Sequence, residues 1–121
     1  MAFTEKMQTR TYVSGSAIAQ FTFVTLASDG QVDNSSANGR TDGVALAAAA
    51  GANEAVAVAY DGRVTVLAGG TISRGAAVAV GTSGKAKAAA STNVIVGYAL
   101  EAGVDGQIIT IELSRAETAA A

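Results

Sequence analysis

The chain has 121 residues, half of them hydrophobic, a net charge of −2, and no Cys, His, Pro or Trp. That length holds one domain, and so large a hydrophobic share argues against a disordered chain. Without His or Cys there is no Ser-His-Asp triad, cysteine nucleophile, disulfide or zinc site of the usual kind, and scattered Lys and Arg form no basic stripe for a phosphate backbone.

Residues Met1–Ser14 set Phe3, Met7, Tyr12 and Val13 among Glu5, Lys6 and Arg10. With a Glu and no apolar run, this start does not read as a secretory signal. It reads as an N-terminal arm outside the pattern that organises the rest, with Phe3, Met7, Arg10 and Tyr12 as candidate contacts to a partner. Gln20–Leu26 is β-branched and aromatic and predicts a strand, closed by a turn at Ser28-Asp29-Gly30. Ala45–Ala50 has helical propensity but is too short to hold a helix alone, and it reads as strand end and loop. Ala55–Tyr60 alternates Ala with Val, which suits a strand with small residues on one face. Asp61-Gly62 then predicts a two-residue hairpin into Arg63–Leu67. Gly75–Val80 predicts another strand, and Gly81-Thr-Ser-Gly84 another turn. Lys85–Ala90 reads as Ala45–Ala50 does, and Gln107–Leu113 as the last strand. Ser114 and Glu117 have the spacing of a capping box, and residues 114–121 read as a C-terminal tail. No stretch approaches the ~20 apolar residues that cross a bilayer as a helix.

The organising feature is an internal duplication at an offset of 54 residues. Ile18 meets Ile72, Val24 meets Val78 and Gly30 meets Gly84. Gly43, Ala45, Leu46 and Ala48 meet Gly97, Ala99, Leu100 and Ala102. After Gly51 and Gly103 the register moves by one residue, so that Glu54–Tyr60 lies over Gln107–Leu113. Two copies are too few for a solenoid. The expectation is an all-β, barrel- or sandwich-like domain over residues 15–113, with similar halves at about 15–60 and 70–113. Gly43 and Gly97 should be equivalent and lead into strands that bury Leu46 and Leu100.

No motif carries chemistry. The four Asp-Gly pairs, at Asp29, Asp42, Asp61 and Asp105, lack the spacing of a calcium loop and read as turns. The Gly-rich stretches fit neither dinucleotide nor phosphate loops. Glu101 with Asp105, or Glu54 with Asp61, could be posed as acid–base pairs, but solvated surface charge is the simpler reading. No catalytic, cofactor-binding or metal-binding residue is assigned. Ala gains little on burial, at roughly 0.8 kcal/mol per CH₂, so partner surfaces are expected to supply what the core lacks.

Asp42–Gly51, Glu54–Gly62, Ile72–Val78, Val96–Ala102 and Asp105–Leu113 together make the chain resemble the capsid cement, or head decoration, proteins of tailed bacteriophages. The resemblance covers about Ser14 to Leu113. It implies a compact, β-tulip-like fold with an N-terminal arm and no enzymatic role. It implies a homotrimer on the outer surface of the virion's mature icosahedral head, at three-fold sites, with the major capsid protein as partner. Nucleic acid, membrane and cofactors have no part in it. The alternative is a β-rich adhesion or carbohydrate-binding module, which would normally present exposed aromatics or clustered acids.

Overall fold

The computed structural model describes residues 8–27, 30–39, 41–90 and 93–117. Among the described residues nine strands run β1 (Gln8–Ser14), β2 (Phe23–Leu26), β3 (Gln31–Asn34), β4 (Gly43–Ala45), β5 (Ala55–Leu67), β6 (Ala77–Val80), β7 (Ala86–Ala88), β8 (Ile95–Ala99) and β9 (Ile108–Glu117). Among the described residues the helical content is one 3₁₀ turn, Thr82–Gly84. The fold is all-β, as the periodicity predicts.

The strands build two units that share β5. In the first, the order β1-β3-β2-β4-β5 closes on itself, because β1 pairs antiparallel with β5 as well as parallel with β3. In the second, the C-terminal part of β5 takes the place of β1, giving β5-β9-β8-β6-β7. A parallel bridge from Ala68 to Ala86 completes the ring. The two units, barrel one and barrel two, therefore have the same strand order, and the duplication is structural.

The correspondence extends to single hydrogen bonds. Gly15 N–H donates to Val32 O at 2.8 Å, and Gly69 N–H to Ala86 O at 2.7 Å. The bridge Ile18–Ala49 recurs as Ile72–Gly103. Leu46 N–H donates to Ala57 O and Leu100 N–H to Thr110 O, which shows the one-residue shift in register read from the sequence. Even the loop before the last strand repeats: Ala50 N–H donates to Glu54 Oε1 at 3.0 Å, and Val104 N–H to Gln107 Oε1 at 3.1 Å. Gly43 and Gly97 are equivalent because a Cβ on either would lie 2.5 Å from a carbonyl oxygen, that of Ala59 or that of Glu112.

Four expectations are corrected. Asp61-Gly62 is not a hairpin: β5 runs through it, and Gly62, at φ +94°, lets one strand pass from barrel one to barrel two. Leu46 and Leu100 are half-buried and follow β4 and β8 rather than filling a strand core. Ser114–Glu117 does not cap a helix, because β9 continues to Glu117. Residues 8–14 are not an arm outside the repeat. They form β1, whose partners β3 and β5 satisfy its backbone groups and whose Ser14 Oγ donates to Gly51 O at 2.6 Å. Residues 1–7, with Phe3 and Met7, and Ser28-Asp29 lie outside the described residues.

Two core clusters follow from the two units. Ile18, Val24, Val32, Ala45, Ala49, Val56 and Val58 fill barrel one. The core of barrel two holds Val64, Val66, Ile72, Val78, Val80, Val96, Ile109 and Ile111, and it takes in Phe23, Val44 and Ala59 from the outer wall of barrel one. The two barrels thus pack as one body. At their junction Phe21 stands at φ +64° where the second copy has Gly75 at +84°, and its carbonyl accepts the Leu67 N–H at 2.8 Å.

Candidate interaction surfaces

Strand alternation decides which side chains look into a barrel. On β1, Ser14 is buried, Tyr12 packs against the barrel-one core, and Arg10 follows on the same face. Val24 on β2 is followed on that face by Leu26, and Val58 on β5 by Tyr60. Arg10, Tyr12, Leu26, Asp42 and Tyr60 come together around an open recess of about 220 Å³, the mouth of barrel one. Of the predicted contact residues, the structure therefore brings Arg10 and Tyr12 together.

The mouth is held by polar geometry. The Arg10 guanidinium carbon lies 5.2 Å from the centre of the Tyr60 ring, a cation–π distance. The neighbouring phenol of Tyr60 first, and that of Tyr12 after it, hold Arg10 above its ordinary pKa, so it stays cationic. Asp42 Oδ2 accepts the Leu26 N–H at 2.8 Å and ties the start of β4 to the end of β2. Leu26 is 41% exposed.

The equivalent end of barrel two is closed and apolar. Val64, Val66, Val80, Val96 and Leu113 occupy the positions of Arg10, Tyr12, Leu26, Asp42 and Tyr60, and all are buried. Sequence reasoning missed Leu26, Asp42 and Tyr60 as members of this surface. Their signal was available as the mismatches of the 54-residue alignment, where a conserved strand order meets a changed residue class.

Two more surfaces are exposed on barrel two. Its wall presents Tyr98, 40% exposed, beside a surface ion pair in which Arg63 Nε lies 3.5 Å from Glu112 Oε1. Its far end holds a shallow cleft of about 330 Å³ lined by Thr71, Ile72, Arg74, Gly103, Val104 and Gln107.

The carboxylates considered for acid–base work are engaged with backbone. Glu101 Oε2 accepts the Thr110 N–H at 3.0 Å, and Glu54 Oε1 accepts that of Ala50. Among the described residues no group of three or more Asp and Glu clusters as a metal site would require.

These features define a class of fold: two tandem five-stranded β-barrels joined by one through-going strand. Among solved structures it is similar to the crystal structure of the N base of the head fiber gp8.5 of bacteriophage phi29. The TM-score is 0.76, the identity 22%, and the match covers 93% of this chain and 98% of that one. No family model matches the sequence. No curated protein matches it either.

Proposed function

We propose that the chain is a structural protein of a bacteriophage head, of the cement or decoration kind. The observation that supports this reading most is the likeness to the phi29 head fiber base over nearly the whole of both chains. The resemblance of the sequence to cement proteins points the same way. In this reading the protein is a homotrimer that seats on the outer surface of the mature icosahedral head at local three-fold sites, with the major capsid protein as its partner. No enzymatic step is involved.

The physics of such a role is linkage. A protein that binds the mature lattice and not its precursor or its dissociated subunits stabilises that lattice by mass action. A trimer on a local three-fold offers the same surface to three equivalent capsid subunits, so modest contacts act together. Exposed side chains of mixed character, Tyr98, Leu26 and Val104 among Arg and Glu, suit such contacts.

The test is co-sedimentation of the purified protein with undecorated mature heads of the phage that encodes it. Saturable binding in multiples of three per local three-fold, with heads that resist heating better when decorated, is the expected outcome. Absence of co-sedimentation sinks the proposal.

A further inference from the structure

The interface between the two barrels joins two surfaces, and the duplication gives each of them a second, equivalent position in the chain. Inside the chain, the wall of barrel one closes the mouth of barrel two. Phe23, Val44 and Ala59 of that wall join the cluster that includes Val64, Val66, Val80, Val96 and Leu113. Backbone bonds stitch the rim: Asn38 N–H donates to Val80 O at 2.8 Å, and Val94 N–H to Asn38 O at 3.2 Å. Lys87 Nζ also donates to Asn38 Oδ1.

Each half of that interface has an uncovered counterpart. The mouth of barrel one is open at Arg10, Tyr12, Leu26, Asp42 and Tyr60. The wall of barrel two carries Ala77, Tyr98 and Glu112 where barrel one has Phe23, Val44 and Ala59. Arg63 stands beside Glu112 on that wall.

We infer that the wall of barrel two in one copy seats on the mouth of barrel one in the next, repeating between chains the contact made within each chain. The two surfaces have changed together. The mouth carries larger side chains, with Tyr12, Leu26 and Tyr60 where barrel two has Val66, Val80 and Leu113. The wall has lost a ring at Ala77, where barrel one has Phe23, and has gained Tyr98 and Glu112, where barrel one has Val44 and Ala59. Both surfaces have gained charge of both signs, Arg10 with Asp42 on one and Arg63 with Glu112 on the other. That is the expected difference between an interface always buried and one exposed before assembly.

The contact is heterologous, since one patch meets a different patch. Such a contact closes into a ring or runs on as a filament. A ring of three copies would be the trimer proposed above, but the contact does not depend on capsid binding.

Head-to-tail pairing has a distinctive test in solution, without capsids. Leu26→Asp disables the mouth and Tyr98→Asp disables the wall; both side chains are about two-fifths exposed, so folding should survive. Circular dichroism checks this, and Arg10→Glu with Glu112→Lys replaces either variant that fails. In sedimentation equilibrium the unaltered protein should assemble, and each variant alone should associate at least about tenfold more weakly. Mixing the two variants should restore dimers and nothing larger, because one copy keeps its wall and the other its mouth. Val104→Asp, at the far end of barrel two, should assemble as the unaltered protein does. A monomeric unaltered protein, variants that assemble normally, or a mixture that stays monomeric would each overturn the inference. None of these results would bear on head binding, which the co-sedimentation experiment reads separately.

Discussion

Ile109 and Ile111 of barrel two stand where barrel one has Val56 and Val58, and Ala68 stands where barrel one has Ser14. The first barrel thus has the smaller aliphatic side chains and the buried hydroxyl, the second the larger ones and no polar group at that position. Yet their ladders and turns follow the same plan, down to the side-chain bond in the loop before the last strand, Ala50 N–H to Glu54 and Val104 N–H to Gln107. The difference separates two layers of specification. Topology rests on backbone-level features, such as the small residue where strands cross closely and the left-handed residue at a turn. Side-chain identity at the core and the mouth follows what covers each barrel. Barrel two is covered by barrel one and is aliphatic throughout, whereas barrel one ends in Arg10, Tyr12, Asp42 and Tyr60, which water can meet.

The harshest way to break the comparison is to remove the strand that barrel one does not share. Deleting residues 1–14 takes away β1, leaving the edges of β3 and β5 without partners and Glu54 N–H without its acceptor, Ser14 Oγ. Each lost hydrogen bond is worth about 1 kcal/mol net, so several together approach the whole stability of a small domain. Barrel one should open and lose amide protection. Barrel two contains no residue of that segment, although it loses support from the wall at Phe23 and Val44. Deleting residues 1–7 alone leaves every described strand in place and should change protection little. Hydrogen exchange on the two truncations checks both outcomes, and equal protection in both would show that β1 is dispensable.

A smaller perturbation probes the feature that the two copies share. A Cβ at Gly97 would lie 2.5 Å from Glu112 O, and at Gly43 it would lie 2.5 Å from Ala59 O and 2.6 Å from Val58 Cγ1. Carbonyl oxygens in a strand ladder cannot swing away as a flexible side chain can. Overpacking of this kind costs about 1–3 kcal/mol, and both Gly→Ala variants should fall at the upper end. Gly43→Ala should be the worse, since it also displaces a core valine. Urea midpoints at unchanged slope give the measurement. Two costs below ~0.5 kcal/mol would mean that strand spacing at these glycines adjusts freely.

Much of this architecture is legible in the sequence because glycines and turns repeat at a fixed offset. Gly43 and Gly97, Gly30 and Gly84, and the shift after Gly51 carry the duplication, and the structure reproduces each. Val13 and Ser14 were legible as chain, not as strand. Their counterparts Leu67 and Ala68 lie in β5 and the bridge after it, so the first strand of the repeat could be found only by carrying the alignment back across Asp61-Gly62. That dipeptide misleads for a local reason. Asp-Gly favours positive φ whether the chain reverses or passes from one barrel to the next, and only the pairing partners decide which occurs. The mouth of barrel one was half visible: Arg10 and Tyr12 stand out in a polar segment, whereas Leu26, Asp42 and Tyr60 join them only through strand register.

The finest test exchanges a core residue for the one that its twin already uses. Ile111→Val gives barrel two the side chain that barrel one has at Val58. Ile111 is fully buried against a cluster that includes Val64, Val80 and Phe23, so the lost methyl leaves a void that the neighbours fill only in part. Such a change costs about 1 kcal/mol, read as a lower denaturant midpoint at unchanged slope. The same valine is accommodated in barrel one, where Tyr12 packs against the core at the position that barrel two gives to Val66. If Ile111→Val is neutral, the two interiors differ in composition but not in fit, and the larger side chains of barrel two are not needed to hold the wall of barrel one. If it costs as expected, the isoleucines in β9 are part of what binds the two barrels into one body, and the variant should also raise amide exchange at Phe23 and Val44 across the junction.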